Sequence, residues 1–296
     1  MSDMASRKRS TVASGRPSWR LRSALATPRR WPADTGAVEV PGPFGTTHVQ
    51  VCGPPDAPPL VLLHGGSTTS ASWFANAGAL SRAHRVHAPD QVGDAGLSVP
   101  SGRPIRRPGD FMAWLDGLLD GLALESAAFC GHSYGAWLAL SYALHAPGRV
   151  RRLALLDPTA CFGGLAPGYR LRAVPLLARP TQARARAVLT WETAHAEPPA
   201  DELLATLASL GGGEFRGARL VLPKRPAAAA LRATRVPVLV VLAERSRAHH
   251  IGRIGAAARR LVPGVETTVL PGAAHHTLPG TAAGPLNELL TGFLAA

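Results

Sequence analysis

The chain has 296 residues, of which 46% are hydrophobic and 17% charged, and its formal net charge is +13. This length and apolar content favour one compact α/β domain over a fibrous, disordered or membrane-spanning chain. So large a positive charge is typical of proteins that bind nucleic acid or another anionic partner, but here the charge is not concentrated on a basic helix. Residues 1–35 contain eight Lys and Arg and only two Asp, and the rest of the positive charge is dispersed along the chain. We therefore expect no nucleic-acid partner and no membrane partner.

The basic N-terminal arm, residues 1–35, precedes the first predicted strand. It has the positive charge of a signal peptide but no apolar run for the hydrophobic core of one, which predicts a cytoplasmic protein. Its composition predicts a disordered or loosely docked segment. Cys52, Cys130 and Cys161 are widely spaced and form no C-x-x-C motif, so we expect reduced thiols and neither a disulfide framework nor a metal site.

After the arm, short apolar runs alternate with helical patterns. Seven runs are predicted strands: 47–53, 59–66, 84–90, 127–133, 150–158, 236–244 and 265–272. Helical patterns between them include ASWFANAGALSRA, GDFMAWLDGLLDGLAL, YGAWLALSYALHAPG and IGRIGAAARRLV. This alternation is typical of a mostly parallel sheet covered by helices on both faces, with functional groups at the carboxyl ends of the strands. One long interruption, residues 159–235, is predicted to be an inserted lid, because compact domains rarely contain loops of that length.

Ser133 lies at the centre of G-H-S-Y-G, directly after a predicted strand and directly before a predicted helix. In this setting G-x-S-x-G is typical of a nucleophile held on a tight strand-to-helix turn. Gly131 and Gly135 would let the two backbones pass close together without a Cβ clash. The alternative is a polar residue in an ordinary Gly-rich turn, but the position between strand and helix favours the nucleophile.

Four motifs in one order resemble the α/β-hydrolase family over about residues 38–296. They are LLHGG (62–66), DQVGDAGLS (90–98), GHSYGA (131–136) and PGAAHHTLP (271–279). Within the family, the chain is most similar to serine carboxylesterase-like members. The resemblance implies an eight-stranded, mostly parallel sheet flanked by helices, a lid after the sixth strand, and no metal or organic cofactor.

The resemblance also implies catalytic roles for particular residues. Ser133 would be the nucleophile, and the backbone N–H groups of Gly66 and Tyr134 would form an oxyanion hole. The alternative for the H-G-G segment is a Gly-rich turn without a ligand. Two adjacent histidines follow the last strand, and His275 stands where the family has its general base, so we favour it over His276.

The acid of the expected triad departs from the family's commonest pattern. In the segment LAERSRAHH, Ser246 occupies the position where many members have Asp, and no Asp follows residue 201. Asp157 closes the sixth strand of the family's count, 24 residues after the serine, a spacing found in some members. We favour Asp157 over the alternative acid Glu244. The histidines of this segment, His249 and His250, are interpreted as surface residues.

Three functions remain open from the sequence. The favoured one is hydrolysis of a small-molecule carboxylic ester or similar acyl compound through an acyl-serine intermediate. Acyl transfer, carbon–carbon bond hydrolysis or perhydrolysis would use the same scaffold. A non-catalytic ligand-binding protein is favoured by the Asp missing at position 246 but disfavoured by the presence of Ser133 and His275. Apolar lid residues such as Phe162 and Trp191 indicate an apolar acyl or alcohol group, while the substrate and the oligomeric state stay open.

Overall fold

The protein is represented by a computed structural model that describes residues 31–94, 96–178, 181–193 and 221–295. Residues 1–30 of the predicted arm lie outside this part. Trp31 is buried in an apolar cluster, and the Asp34 carboxylate accepts a hydrogen bond from the Gly53 N–H at 3.2 Å. The described end of the predicted arm therefore packs against the domain.

Within the described residues, the strands form one nine-stranded sheet. They are β1 (Gly36–Gly42), β2 (Gly45–Cys52), β3 (Pro59–Leu63), β4 (Arg85–Pro89), β5 (Val99–Pro100), β6 (Ala127–His132), β7 (Val150–Leu156), β8 (Val238–Ala243) and β9 (Glu266–Leu270). The order is β1-β2-β4-β3-β6-β7-β8-β9, with β5 paired to β2. Strand β2 pairs antiparallel with β1, β4 and β5, and the remaining pairs are parallel.

The predicted α/β class is confirmed, with one strand more than the eight expected. The additional strand, β5, has only two residues and therefore carries no apolar periodicity. Strand β1 was not among the seven predicted runs because it lies at the sheet edge, where only Val40 is buried. The sixth strand of the family's count corresponds to β7 here, because the numbering used here also includes the short strand β5.

Helices cover both faces of the sheet. They are α1 (Phe74–Leu80), α2 (Pro108–Gly121), α3 (Tyr134–His145), α4 (Pro167–Ala178), α5 (Gln182–Glu192), α6 (Ala228–Arg232), α7 (Ile251–Leu261), α8 (Leu278–Thr281) and α9 (Ala283–Ala295), with single 3-10 turns at Ser70–Trp73 and Pro147–Arg149. In the described part of the chain, none of them has the length and apolar character needed to cross a bilayer.

Two apolar cores, one on each face, explain the continuous apolar runs of the central strands. Val61 and Leu63 of β3 belong to the core under α2 and α3, while Leu60 and Leu62 belong to the core under α1 and α9. Because alternate residues of a strand point to opposite faces, a strand covered on both sides is apolar at every position. This packing buries the central strands and leaves their carboxyl ends free to carry polar groups.

The predicted lid, residues 159–235, is described only in part, since 179–180 and 194–220 lie outside the described residues. It contains α4 and α5, which pack against each other. The guanidinium groups of Arg172 and Arg247 both lie over the ring of Trp191 in α5, 4.4 and 5.0 Å from its centre. Arg247 follows β8, so this contact ties the inserted helices to the carboxyl end of the sheet.

Candidate active site

Ser133 occupies the sharp turn between β6 and α3. Its backbone has φ 53° and ψ −110°, a left-handed conformation that strains a residue with a side chain. The two flanking glycines are sterically required. A Cβ at Gly131 would lie 2.3 Å from the Gly135 carbonyl oxygen, and one at Gly135 would lie 2.2 Å from the Leu63 carbonyl oxygen. The G-x-S-x-G pattern therefore follows from the close passage of β3, β6 and α3.

The structure brings Ser133, His275 and Asp157 into one hydrogen-bonded chain. Ser133 Oγ lies 2.8 Å from His275 Nε2, and His275 Nδ1 lies 2.6 Å from Asp157 Oδ2. Asp157 directly follows β7, and His275 lies in the loop after β9. Both of these side chains are buried. Three groups from separate parts of the sequence thus meet at the carboxyl ends of β6, β7 and β9, in the parallel part of the sheet.

Asp157 is fully buried and receives four hydrogen bonds. Oδ2 accepts from His275 and from the Ser246 hydroxyl at 2.7 Å, while Oδ1 accepts from His249 Nε2 at 2.9 Å and from the Ala243 N–H at 3.2 Å. Burial alone would raise the pKa of this carboxyl, but the hydrogen bonds from His249 and His275 outweigh it and hold the pKa well below its usual range. Asp157 is therefore an ionised carboxylate at neutral pH.

The alternative acid, Glu244, is not brought to the same place. Its side chain is exposed and accepts a hydrogen bond from the Gly272 N–H at 2.8 Å. Within the described residues it forms no hydrogen bond with His275. Of the two carboxylates considered, only Asp157 is within reach of the imidazole.

The interpretation of His249 as a surface residue is wrong. His249 is 5% exposed and contacts Asp157, whereas its neighbour His250 is exposed. Adjacent histidines carry no periodic signal that separates a buried position from an exposed one. The contact also joins residues 92 positions apart. It therefore depends on how β7 and β8 pair in the sheet.

The two residues predicted to form the oxyanion hole, Gly66 and Tyr134, lie next to each other beside the serine turn. Tyr134 begins α3, so its N–H has no carbonyl partner inside the helix. A Cβ at Gly66 would lie 3.5 Å from Tyr134 Cβ, which shows that the two residues adjoin. No residue in the described ranges accepts a hydrogen bond from either N–H. Both N–H groups are therefore without a backbone partner in the described ranges.

The loop that carries Gly66 is shaped by a buried histidine. His64 Nδ1 donates to the Gly65 carbonyl oxygen at 2.8 Å, and its Nε2 accepts from the Gln91 N–H at 3.0 Å. The tautomer is assigned from these partners, because a backbone N–H can only donate. His64 therefore supports the loop conformation and does not face Ser133.

His276, the alternative base, pairs with a different carboxylate. Its Nδ1 contacts Glu192 Oε2, and its backbone N–H donates to Glu192 Oε1 at 3.1 Å. Burial lowers the pKa of His276, but the Glu192 charge outweighs this and raises it. Burial raises the pKa of Glu192, but His276 outweighs this and lowers it. The two form a partly buried ion pair that joins α5 to the loop carrying His275.

Two other side chains at the site were not predicted. Thr159 Oγ1 lies 3.0 Å from Ser133 Oγ. Burial lowers the pKa of His132 to about 3, so its ring is neutral and its Nε2 donates to the His275 carbonyl oxygen at 2.7 Å. His132 is the variable residue before Ser133 in the motif, and Thr159 is a single threonine outside any pattern. Neither position therefore carries a signal in the sequence.

The sheet, the strained serine and the adjoining backbone donors define a hydrolase of the α/β type. The profile of the Alpha/beta hydrolase family matches residues 60–287, so the chain belongs to that family. It is a carboxylesterase-like member. It is 32% identical to carboxylesterase YbfK of Bacillus subtilis over an alignment of 253 residues, and this alignment covers 83% of each chain.

Solved structures agree with this assignment. The crystal structure of carboxylesterase CesB (YbfK) from Bacillus subtilis superposes with a TM-score of 0.84 at 29% identity, covering 96% of this chain and 99% of that one. Naproxen esterase from Bacillus subtilis superposes with a TM-score of 0.82 at 27% identity, covering 93% of this chain and 96% of that one. A local match of 41% identity over 101 residues links the chain to 2-hydroxy-6-oxo-2,4-heptadienoate hydrolase of Pseudomonas putida, covering 33% of this chain and 36% of that one.

Proposed function

We propose that the protein hydrolyses small-molecule carboxylic esters or similar acyl compounds through an acyl-serine intermediate on Ser133. The observation that carries this proposal is the continuous hydrogen-bonded chain from Ser133 through His275 to Asp157. It is supported by relatives that are carboxylesterases. No metal or organic cofactor is needed for this chemistry, because the nucleophile, base and acid are all side chains.

In the acylation step, Ser133 Oγ attacks the acyl carbonyl carbon and its proton passes to His275 Nε2. Asp157 accepts the hydrogen bond from His275 Nδ1–H, which keeps Nε2 free to accept a proton and stabilises the imidazolium that forms. The Thr159 hydroxyl contacts Ser133 Oγ and helps fix its rotamer. The imidazolium then gives its proton to the departing alcohol.

The negative oxygen of the tetrahedral intermediate lies between the N–H groups of Gly66 and Tyr134. Each such donor contributes about 3–4 kcal/mol to the transition state in a preorganised site. The amino end of α3 adds its partial positive charge in the same direction. A water molecule then enters, loses its proton to His275 and releases the acid from Ser133 by the same steps in reverse.

We further propose that the ester carries an apolar acyl or alcohol group. The Tyr169 ring stands edge-on to the His275 ring at a centroid distance of 5.9 Å, and Tyr169 and Phe162 are both buried. Both residues belong to the inserted segment; the Tyr169 ring adjoins the imidazole, while Phe162 packs in the core under α2 and α3. An aromatic surface there favours apolar groups through the area it removes from water.

The proposal is tested by measuring hydrolysis of a p-nitrophenyl ester series from acetate to octanoate by the parent and by Ser133→Ala. We expect the parent to turn over at least one ester and the variant to lose at least about 10³-fold in kcat, because no other group replaces the nucleophile. Thermal unfolding checks that the variant is folded. A folded Ser133→Ala protein with parent activity would contradict the acyl-serine mechanism.

A second candidate is hydrolysis of a carbon–carbon bond. The local match to 2-hydroxy-6-oxo-2,4-heptadienoate hydrolase supports it, since that compound has no ester bond and its hydrolysis must break a bond between carbons. The two candidates are separated by comparing kcat/KM for p-nitrophenyl butyrate with kcat/KM for a 6-oxo-2,4-dienoate. Higher kcat/KM for the dienoate would favour the second candidate.

A further inference from the structure

Asp157 contacts two imidazoles at once, one through each carboxylate oxygen. Oδ2 lies 2.6 Å from His275 Nδ1, and Oδ1 lies 2.9 Å from His249 Nε2. The two rings are almost perpendicular, at 85°, with centroids 5.9 Å apart. An ionised carboxylate can only accept hydrogen bonds, so His249 carries its proton on Nε2.

We propose that His249 is a positioning residue for the reaction: it fixes the Asp157 carboxylate so that Oδ2 faces His275 Nδ1. This inference rests on the proposed function, in which Asp157 orients His275. His249 does not contact Ser133 and acts only through Asp157. The segment after β8 therefore contributes hydrogen-bond donors, Ser246 and His249, where a carboxylate was expected.

The geometry explains why this donor matters. A carboxylate rotates about its Cβ–Cγ bond unless both oxygens are held. Of the hydrogen bonds that Oδ1 accepts from the described residues, only the one from the Ala243 N–H at 3.2 Å would remain without His249. Oδ2 accepts from both His275 and the Ser246 hydroxyl, so among the described residues His249 is the only side chain that holds Oδ1. A loosely held carboxylate would therefore align poorly with the imidazole and stabilise the imidazolium less well.

A matched pair of variants isolates the hydrogen bond. His249→Gln keeps an N–H donor at about the position of Nε2, while His249→Met has almost the same size and shape as Gln but no donor. His250→Met, at the exposed neighbouring position, is the control. Each is measured for kcat and KM on p-nitrophenyl butyrate and for thermal unfolding, together with Asp157→Asn and the double variant Asp157→Asn/His249→Met.

We expect His249→Met to lower kcat by about 10- to 100-fold, the loss that corresponds to one hydrogen bond to a buried charge, with KM changed by less than about twofold. His249→Gln should recover most of the loss, and His250→Met should match the parent. In the Asp157→Asn background, His249→Met should cause no further loss, because the residue acts through that carboxylate. If His249→Met does not fold, His249→Phe replaces it as the variant without a donor.

Parent-like kcat in a folded His249→Met variant would overturn the inference. Equal losses in His249→Gln and His249→Met, or a further loss in the Asp157→Asn background, would do the same. These results leave the proposed function standing as long as Asp157→Asn itself is strongly impaired. Parent-like activity of Asp157→Asn would instead overturn the proposed acid, and the inference with it.

Discussion

Asp157→Asn is the substitution for which the structure gives the most specific expectation. The Asn side chain has one oxygen and one NH₂ group, so one of the two positions now occupied by oxygen becomes a donor. The position of Oδ1 faces the Ala243 backbone N–H, which cannot change from donor to acceptor. The amide oxygen therefore takes this side, and the NH₂ group faces His275 Nδ1.

The consequence is the wrong tautomer of His275. With an N–H group donating to it, Nδ1 must be unprotonated, so the proton moves to Nε2. Nε2 then has no lone pair to accept the Ser133 proton. We expect kcat to fall by about 10³–10⁴-fold, equivalent to about 4–5.5 kcal/mol of transition-state stabilisation, with little change in KM.

The assay is steady-state hydrolysis of the best p-nitrophenyl ester, with thermal unfolding to confirm that the variant is folded. Glu244→Gln is the matched control, because Glu244 lies on the next strand end and contacts Gly272 instead of His275. This control should retain activity within about twofold of the parent. Strong loss in Glu244→Gln combined with an active Asp157→Asn would refute the reasoning.

Three other predictions follow from the site. His275→Ala should lose about 10³-fold or more in kcat, while His276→Ala should lose far less, since only the His275 ring reaches Ser133; the reverse ranking of kcat values would contradict this. Glu192→Gln should lower the free energy of unfolding by about 1–3 kcal/mol. The raised pKa of His276 stabilises the fold below its ordinary pKa of 6.5, and the lowered pKa of Glu192 stabilises it above its ordinary pKa of 4.5. The loss measured by urea unfolding should thus be largest between pH 4.5 and 6.5 and shrink in alkaline buffer; an equal loss at every pH would argue against the ion pair. Gly131→Ala should lower stability by about 1–3 kcal/mol or prevent folding, because its Cβ has no room beside the Gly135 carbonyl; an unchanged melting temperature would contradict the elbow geometry.

The features that the sequence could predict belong to short, local patterns. Ser133 and its glycines are fixed by local strand-turn-helix geometry, and this geometry repeats wherever the same backbone path is used. The continuous apolar runs of β3, β6, β7 and β8 indicate strands buried on both faces, and these strands form the centre of the sheet. Patterns of this kind depend on neighbours in the sequence, so they can be read from it.

The parts that the sequence did not predict depend on tertiary contacts. His249 reaches Asp157 only because β7 and β8 are paired, and Glu192 reaches His276 only because α5 packs over the histidine loop. Each is a single polar residue without periodicity, so its burial cannot be inferred from its neighbours. Glu244 and Asp157 both directly follow strands. Only the direction of the side chain decides which of the two carboxylates reaches His275.

Labelling by a fluorophosphonate probe, followed by peptide mass spectrometry, tests the central claim most directly. The probe reacts with a serine only when a base and an oxyanion hole activate it. We expect one equivalent of probe on the peptide that contains Ser133, a large decrease when p-nitrophenyl butyrate is present as a competitor, and no label in Ser133→Ala. Labelling at a different residue, or none in a folded protein that hydrolyses esters, would contradict the account.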